Sequence, residues 1–326
     1  MKTISQEELD AVAEVDQLGL SVLSPSILEK DLLITDVLAL LAVFDWDEIQ
    51  PVFCGGTSLS KGYGLIERMS EDIDFKLVLP EDSKDWSRSH KRGQLSSLKH
   101  HLAARMREAG YGLPEEGVTA ENENHYFCFD MGYASQFQLA NALRPELKLD
   151  FTVNTPQMET AAVQIKPLLD KFIPWQSEAV NHQAVAVPET VVEKVVSFLR
   201  RTASWNEQQK LDPHRDPLVR HLYDVHQLLT KLPQDSEAMQ LQQELFNKTV
   251  AVDKEKFGRR NPLFGDNPGN QLEKALAQLQ SSSKIEELYE QYVDELVWGP
   301  KVAFKDARRG FTKLAADWLA GLDLPP

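Results

Sequence analysis

A strand-like run with two aspartates constrains the fold of this chain more than any other feature. In residues 72–79 the polar positions Asp72, Asp74 and Lys76 alternate with apolar ones. Alternation with a period of two predicts a half-buried β-strand, in which side chains two residues apart share a face. The two carboxylates should therefore face one spot, while the apolar face anchors the strand to a core.

Two carboxylates placed this close together need a compensating charge. They repel each other unless a cation lies between them or one of them takes up a proton. A hard divalent cation held by carboxylate and phosphate oxygens is the usual solution, and Mg²⁺ suits it best, with Mn²⁺ as the alternative. We therefore predict a metal site at Asp72 and Asp74.

A glycine-rich turn precedes the acidic strand. Residues 51–54 predict a short strand that leads directly into Gly55, Gly56, Thr57 and Ser58. Backbone N–H groups in such a turn can bind a phosphate. An Asp-x-Asp pair alone would indicate only a surface strand. Together with the turn and its hydroxyls, it indicates a metal-dependent nucleotidyl-transfer site.

A third carboxylate is predicted for the same site. Asp150 lies in a second alternating run, residues 147–154, and could complete a three-carboxylate metal site with Asp72 and Asp74. The alternative is an edge-strand aspartate that pairs with Lys148 or with an arginine.

Two helical segments carry further candidates. Lys194 lies on the polar stripe of a predicted amphipathic helix, where a lysine can neutralise triphosphate charge. The alternative is an ordinary lysine of an amphipathic helix. Asp224 follows Arg220 by four residues and shares a helix face with it, so the alternative there is an exposed ion pair.

Charge is unevenly distributed along the 326 residues. The net charge of −15 argues against a general nucleic-acid coat protein. Residues 86–107, however, contain six lysines and arginines and no acid, and residues 301–313 form a second basic segment. Each segment is either a solvated helix face or a surface for RNA or a nucleotide tail.

Composition indicates a location in the cytoplasm. The two cysteines, Cys54 and Cys128, lie in apolar runs and predict buried thiols in a reducing compartment. No apolar run approaches the roughly 18 residues that span a bilayer, so we expect no membrane partner.

The pattern of elements predicts an α+β fold. A small mixed β-sheet core flanked by helices should be followed by an all-helical C-terminal part. The gaps between elements are too irregular for a doubly wound parallel sheet. We expect N-terminal helices plus a nucleotidyltransferase core in residues 1–170, and a helical domain in residues 171–326 that contributes Lys194 and Asp224 to the cleft.

Several segments of the chain resemble the AbiEii/AbiGii-type nucleotidyltransferase toxin family, a branch of the DNA polymerase β-like superfamily. The resemblance covers residues 28–230, and the C-terminal helices match no motif of the family. The similar segments are EKDLLIT at 29–35, the highly specific first motif at 55–75, KLDF at 148–151, the Lys194 helix, and RHLYDVHQLL at 220–229.

The resemblance implies a nucleotide-binding role for the glycine turn. Gly56 and Ser58 would hold nucleotide phosphates. Arg68 and Ser70 belong to the family's R-x-S-x-D-x-D run, where they either orient the turn or contact a phosphate. The implied nucleotide-binding residues are Gly55, Gly56, Thr57, Ser58, Arg68 and Ser70.

The resemblance also implies which residues are catalytic. Asp72 and Asp74 would bind Mg²⁺, and Lys194 and Asp224 would be catalytic or nucleotide-binding. Many members of the family carry an acid directly after the arginine of the last motif, where this chain has His221. This departure leaves the role of that motif open, although Asp224 remains.

By resemblance, the chain is the toxin of a type IV-like toxin–antitoxin or phage-defence pair, with a cognate antitoxin as partner. Some relatives add nucleotides to the 3′ end of tRNA, and others bind GTP. We therefore expect an NTP substrate, either GTP or a pyrimidine NTP, and a tRNA acceptor. The alternatives are a GTP-binding interaction module without turnover, and nucleotidyl transfer to a protein or a small molecule.

Overall fold

The computed structural model describes residues 1–140, 143–175, 177–208, 218–233 and 235–324, without the side chains of residues 205–208. This part of the chain divides into two units, Met1–Val185 and Ala186–Pro326.

A seven-stranded mixed sheet forms the centre of the first unit, counted over its described residues. The strand order is β3-β4-β5-β2-β1-β7-β6. Two neighbouring pairs, β2 with β5 and β1 with β7, are parallel, and the other neighbours are antiparallel. The strands are β1 (Gln50–Cys54), β2 (Asp72–Val78), β3 (Val118–Glu121), β4 (Tyr126–Gly132), β5 (Glu146–Val153), β6 (Ala161–Ile165) and β7 (Val180–Ala184).

Alternation places the core on one face of the sheet. In β2 the side chains of Ile73, Phe75 and Leu77 are fully buried, while Asp72 and Asp74 are half-buried on the opposite face. The ring of Phe75 lies 5.9 Å from the ring of Phe151 on β5. The predicted half-buried strand is confirmed, because a shared aromatic cluster fixes which face of β2 turns inward.

Among its described residues, the first unit has four α-helical segments. Helix α1 begins after Ser5, which forms a reciprocal capping box with Glu8. Helix α2 is buried over most of its length. The segments are α1 (Gln6–Gln17), α2 (Pro25–Ala42), the single turn α3 (Gly55–Thr57) and α4 (Arg88–Glu108).

Three consecutive charged residues of α2, Glu29, Lys30 and Asp31, are buried. Lys30 Nζ lies 2.6 Å from Glu71 Oε1, and Lys61 Nζ lies 2.6 Å from Asp31 Oδ1. Burial lowers the pKa of both lysines, and the paired carboxylates oppose that shift. These pairs tie α2 to two points of the chain before β2: Lys61, which follows the glycine-rich turn, and Glu71, which directly precedes the strand.

In its described residues, the second unit consists of helices joined by short connections. Aromatic pairs such as Phe198–Phe311 and Phe246–Trp318 lie in its core. Its helices are α5 (Val187–Gln208), α6 (Arg220–Leu229), α7 (Ser236–Phe257), α8 (Pro262–Asp266), α9 (Pro268–Ser281), α10 (Ser283–Leu296) and α11 (Phe304–Ala320).

The predicted α+β fold with a helical C-terminal part is confirmed. The division follows Val185 rather than residue 170, because β7 pairs with β1 and therefore belongs to the sheet. Cys128 is buried as expected, whereas Cys54 at the end of β1 is partly exposed. Among the described helices, none is both long enough and apolar enough to cross a membrane.

The buried ion pairs of α2 make a prediction about stability. Lys61→Met should lower the free energy of unfolding of the first unit by about 3–5 kcal/mol, because it leaves the Asp31 carboxylate buried without its cation. Urea denaturation measures the change. Lys84→Met, which removes an exposed pair with Glu81, should leave stability almost unchanged. Equal effects of the two substitutions would contradict this interpretation.

Candidate active site

The acidic face of β2 brings the predicted carboxylates to neighbouring positions. Asp72 and Asp74 lie on the same face because they are two residues apart. In the parallel pairing with β5, Asp74 stands opposite Asp150, and Asp72 stands opposite Lys148. The register of the two strands therefore places all three predicted metal ligands on one surface of the sheet.

The glycine turn packs directly against this acidic face. Gly55 directly follows β1 and has a φ of +78°. Residues with a β-carbon rarely adopt this conformation. A β-carbon on Gly55 would lie only 2.2 Å from Oδ2 of Asp74. Two independent features therefore favour glycine at this position: the positive φ of the backbone and the closeness of the Asp74 carboxylate.

One hydroxyl of the turn bonds the acidic strand, and the other bonds the turn itself. Thr57 Oγ1 donates a hydrogen bond to the backbone carbonyl of Asp72, and Ser58 Oγ donates one to the carbonyl of Gly55 at 3.0 Å. Both side chains are fully buried. The predicted contact of Ser58 with phosphate stays a prediction, but the structure gives the two hydroxyls a positioning role.

Arg68 and Ser70 pack beneath the same turn. A β-carbon on Gly56 would lie 2.5 Å from Nη2 of Arg68 and 2.8 Å from Oγ of Ser70. Arg68 is only 2% exposed and donates a hydrogen bond from Nη1 to the carbonyl of Met69 at 2.8 Å. Of the two roles considered for Arg68, this packing favours orienting the turn over direct contact with a phosphate.

Basic side chains accompany two of the three carboxylates. Arg144, two residues before β5, forms an ion pair with Asp72 through Nη2, and Lys148 Nζ lies 3.1 Å from Oδ2 of Asp150. The hydroxyl of Tyr126 donates a hydrogen bond to Asp150 Oδ1 at 3.0 Å. The predicted alternative for Asp150 is half right. It pairs with Lys148, but β5 is an interior strand and not an edge.

The pKa of Asp150 reflects these surroundings. Burial raises the pKa of this carboxyl, Lys148 acts in the opposite direction, and the negative charge of Asp72 raises it further. The net shift is upward. Asp150 therefore senses the charge on Asp72, as expected for acids that share one site.

The donor set of this face fits a divalent cation in part. Mg²⁺ is commonly bound by one or two carboxylates and completes its shell with water and substrate phosphates. Asp72 and Asp74 supply two carboxylates on one face of the sheet. Among the described residues, no three His, Cys, Asp or Glu side chains converge on one point. The three-ligand set with Asp150 therefore stays a prediction.

Lys194 and Asp224 lie together in the second unit. Lys194 Nζ on α5 is 2.7 Å from Oδ2 of Asp224 on α6, and the two side chains are 6% and 0% exposed. The alternative of an exposed ion pair for Asp224 is therefore wrong, and Lys194 is not a solvated helix lysine. Their predicted catalytic role stays a prediction, now attached to a buried charge pair.

Sequence reasoning missed Arg144 and the support provided by Lys30. Arg144 precedes β5 and belongs to no periodic pattern, so no signal in the sequence marks it. Lys30 did carry a signal, because a Glu-Lys-Asp triplet interrupts the otherwise apolar stretch of α2. Three adjacent charges at buried positions of a helix indicate charge pairing with other segments.

Comparison with protein families identifies the family of the chain. The model of a family described as nucleotidyl transferase AbiEii toxin, type IV toxin–antitoxin system, matches residues 39–308. The chain belongs to this family. It is therefore a nucleotidyltransferase and the toxin of a type IV toxin–antitoxin system, which implies an NTP substrate and an antitoxin partner. The resemblance inferred from the motifs is confirmed.

Solved structures agree on the fold. Four chains of known structure match. One is MenT4, a nucleotidyltransferase toxin from Mycobacterium tuberculosis H37Rv, with a TM-score of 0.55 and 18% sequence identity. The match covers 95% of this chain and 93% of MenT4. At this identity the match establishes the fold alone. No curated protein matches the sequence.

The contact between Gly55 and Asp74 makes a prediction about activity. Gly55→Ala should displace the Asp74 carboxylate and lower the rate of nucleotidyl transfer about 100-fold, since small misplacements of catalytic groups cost that much. Gly64→Ala is a matched control, because Gly64 also has a positive φ (+64°) but no atom within 4 Å of its added β-carbon. Both variants should lose about 1–2 kcal/mol of stability to backbone strain. Equal activity of the two would refute a role for this contact.

The pair of Lys194 and Asp224 makes a second prediction. Asp224→Asn should cost about 3 kcal/mol of stability, because it leaves the lysine buried without a counter-charge. Transfer should fall more than the loss of folded protein explains. Asp253→Asn removes the partner of Arg200, a less buried pair in the same unit, and should leave transfer intact. The measurements are urea unfolding and transfer rate per folded molecule.

Proposed function

We propose that this toxin is a Mg²⁺-dependent enzyme that transfers a nucleotide from an NTP to the 3′ hydroxyl of tRNA. The family fixes the reaction class and the toxin role. The metal, the acceptor and the choice of nucleotide are the parts that we propose.

One observation carries the proposal for the metal and the phosphates. Oδ2 of Asp74 lies so close to Gly55 that no β-carbon fits between them. A phosphate held by backbone N–H groups of the turn would therefore lie beside a carboxylate of β2. Such a phosphate and carboxylate repel each other unless a cation joins them, which supports a divalent metal at Asp72 and Asp74.

The chemistry follows from these groups. An oxygen of the acceptor hydroxyl attacks the α-phosphorus of the NTP, the bond from that phosphorus to the bridging oxygen breaks, and pyrophosphate leaves. The proton of the hydroxyl passes to water or to a carboxylate of the site. A bound Mg²⁺ would neutralise negative charge on the phosphate oxygens. Asp72 and Asp74 would hold it there, and the Gly55 turn would orient the phosphates.

Asp150 and Lys194 complete the proposed chemistry. Asp150, which stands opposite Asp74 in the register of β2 and β5, would add a third carboxylate to the metal site. Lys194 would stabilise negative charge that develops on the phosphates, with Asp224 as its positioning partner. Both assignments extend the family resemblance to the contacts of these particular side chains.

The basic helix α4 supports an RNA acceptor. Its side chains Arg92, His100 and Arg107 are exposed, and Leu95, Leu98 and Leu102 anchor its other face. Part of its charge is used internally, since Arg88 pairs with Glu123. The remaining exposed positive charge is placed on the surface, where it can contact a phosphate backbone. A small-molecule acceptor would not need such a surface.

Transfer to tRNA makes a direct prediction. Purified protein, each of the four labelled NTPs in turn, Mg²⁺ and total tRNA should give label in the RNA fraction. Asp74→Asn should abolish incorporation because it removes a ligand charge, whereas Asp85→Asn, the same change at an exposed loop position, should not. Chelation of divalent cations should also stop the reaction.

Three outcomes would contradict the proposal. Oxidation of the tRNA 3′ ribose with periodate should block incorporation, so label in oxidised tRNA would place the acceptor elsewhere on the RNA. Label in the protein fraction alone would identify a protein acceptor. Tight GTP binding without any incorporation would instead favour an interaction module.

A further inference from the structure

Asp72, a predicted metal ligand, already has a cation of the chain itself. The guanidinium of Arg144 pairs with Oδ1 of Asp72 through Nη2. Its Nε lies 3.9 Å from Oε2 of Glu71, the residue before Asp72. The charge on Asp72 is thus compensated by a guanidinium at the place where the proposed function requires a divalent cation.

The backbone of Arg144 is fixed independently of its side chain. Its N–H donates a hydrogen bond to Oε1 of Glu71 at 2.8 Å, and its carbonyl accepts one from Lys30 Nζ at 2.7 Å. Lys30 and Glu71 are themselves paired and fully buried. Since none of these bonds involves the guanidinium, the side chain can leave Asp72 without disturbing the backbone that holds it.

Exposure distinguishes the guanidinium from its supports. The side chains of Arg144 and Asp72 are 23% and 25% exposed, whereas those of Lys30 and Glu71 are 0% and 1% exposed. Solvent and ligands therefore reach the pair of Arg144 and Asp72 but not the pair beneath it. An arginine stays charged at all physiological pH values, so loss of its own proton cannot release it from the carboxylate. A competing cation at Asp72, or a competing anion for the arginine, can release it.

We propose that Arg144 is a resident counter-ion of Asp72, which a divalent cation must displace before the site is complete. This positioning residue lowers the affinity of the site for metal in the absence of nucleotide. Once displaced, the guanidinium is free to pair with a phosphate oxygen of the incoming NTP, a geometry that arginine favours. The inference rests on the proposed metal site at Asp72 and extends it.

Metal binding without nucleotide or RNA tests this inference. Mn²⁺ titrated into the full-length protein and followed by electron paramagnetic resonance gives the affinity directly. Arg144→Gln should bind Mn²⁺ about tenfold more tightly than the unmodified protein, because the metal no longer competes with a charged hydrogen bond. Arg144→Lys, which keeps the charge but loses the planar fork, should fall between them.

A matched control separates local competition from general electrostatics. Arg88→Gln removes the same charge from the same unit, but its partner is Glu123 and not a predicted metal ligand. This variant should bind Mn²⁺ as the unmodified protein does. If Arg88→Gln and Arg144→Gln tighten binding equally, the effect comes from net charge, and the proposed competition is refuted.

The outcomes also separate this inference from the proposed function. Asp72→Asn defines the site, since it should abolish the Mn²⁺ binding that Arg144→Gln strengthens. If Asp72→Asn binds as much Mn²⁺ as the unmodified protein does, the metal site itself is refuted. If Asp72→Asn loses binding but Arg144→Gln does not gain it, the metal site stands and the role of Arg144 is refuted. Thermal unfolding of each variant confirms that it is folded.

Discussion

The buried charges of α2 are the constraint on which the rest of the candidate site depends. Lys30 pairs with Glu71, which directly precedes the acidic strand, and Asp31 pairs with Lys61, which follows the glycine turn. Asp31 also accepts a hydrogen bond from the backbone N–H of Leu168. Leaving any of these charges unpaired in the interior would cost several kcal/mol, so turn and strand are held to a single helix.

This arrangement gives residues 29–35 a structural role at the candidate site. Residues 29–35 contribute no candidate ligand, yet Lys30 bonds both Glu71 and the carbonyl of Arg144. Through these two contacts α2 positions the Asp72 carboxylate on one side and its basic partner on the other. Residues 29–35 therefore help to order the candidate site, and they do so through buried charge pairs.

Much of the fold could be predicted from sequence, and the failures have physical causes. β2 and β5 were recognisable because a buried face alternates with a polar one. β3, β6 and β7 were missed because each has only four or five residues, too few for a clear alternation, and pairing with neighbours stabilises them. The pairing of Lys194 with Asp224 depends on how α5 and α6 pack, which periodicity within either helix does not specify. The position of Arg144 beside the site depends on contacts with Asp72 and Lys30, which are distant in the sequence.

The parallel register of β2 and β5 has a consequence for variation among related chains. Asp74 faces Asp150 only while the two strands keep their present alignment. A shift of one residue would turn the side chain of Asp150 to the opposite face, and a shift of two would bring Lys148 opposite Asp74. A small deletion just before β5 would therefore inactivate a related chain that still contains the aspartates corresponding to Asp72, Asp74 and Asp150. Loop length is, in this sense, as much a determinant of activity as the identity of the residues in the motifs.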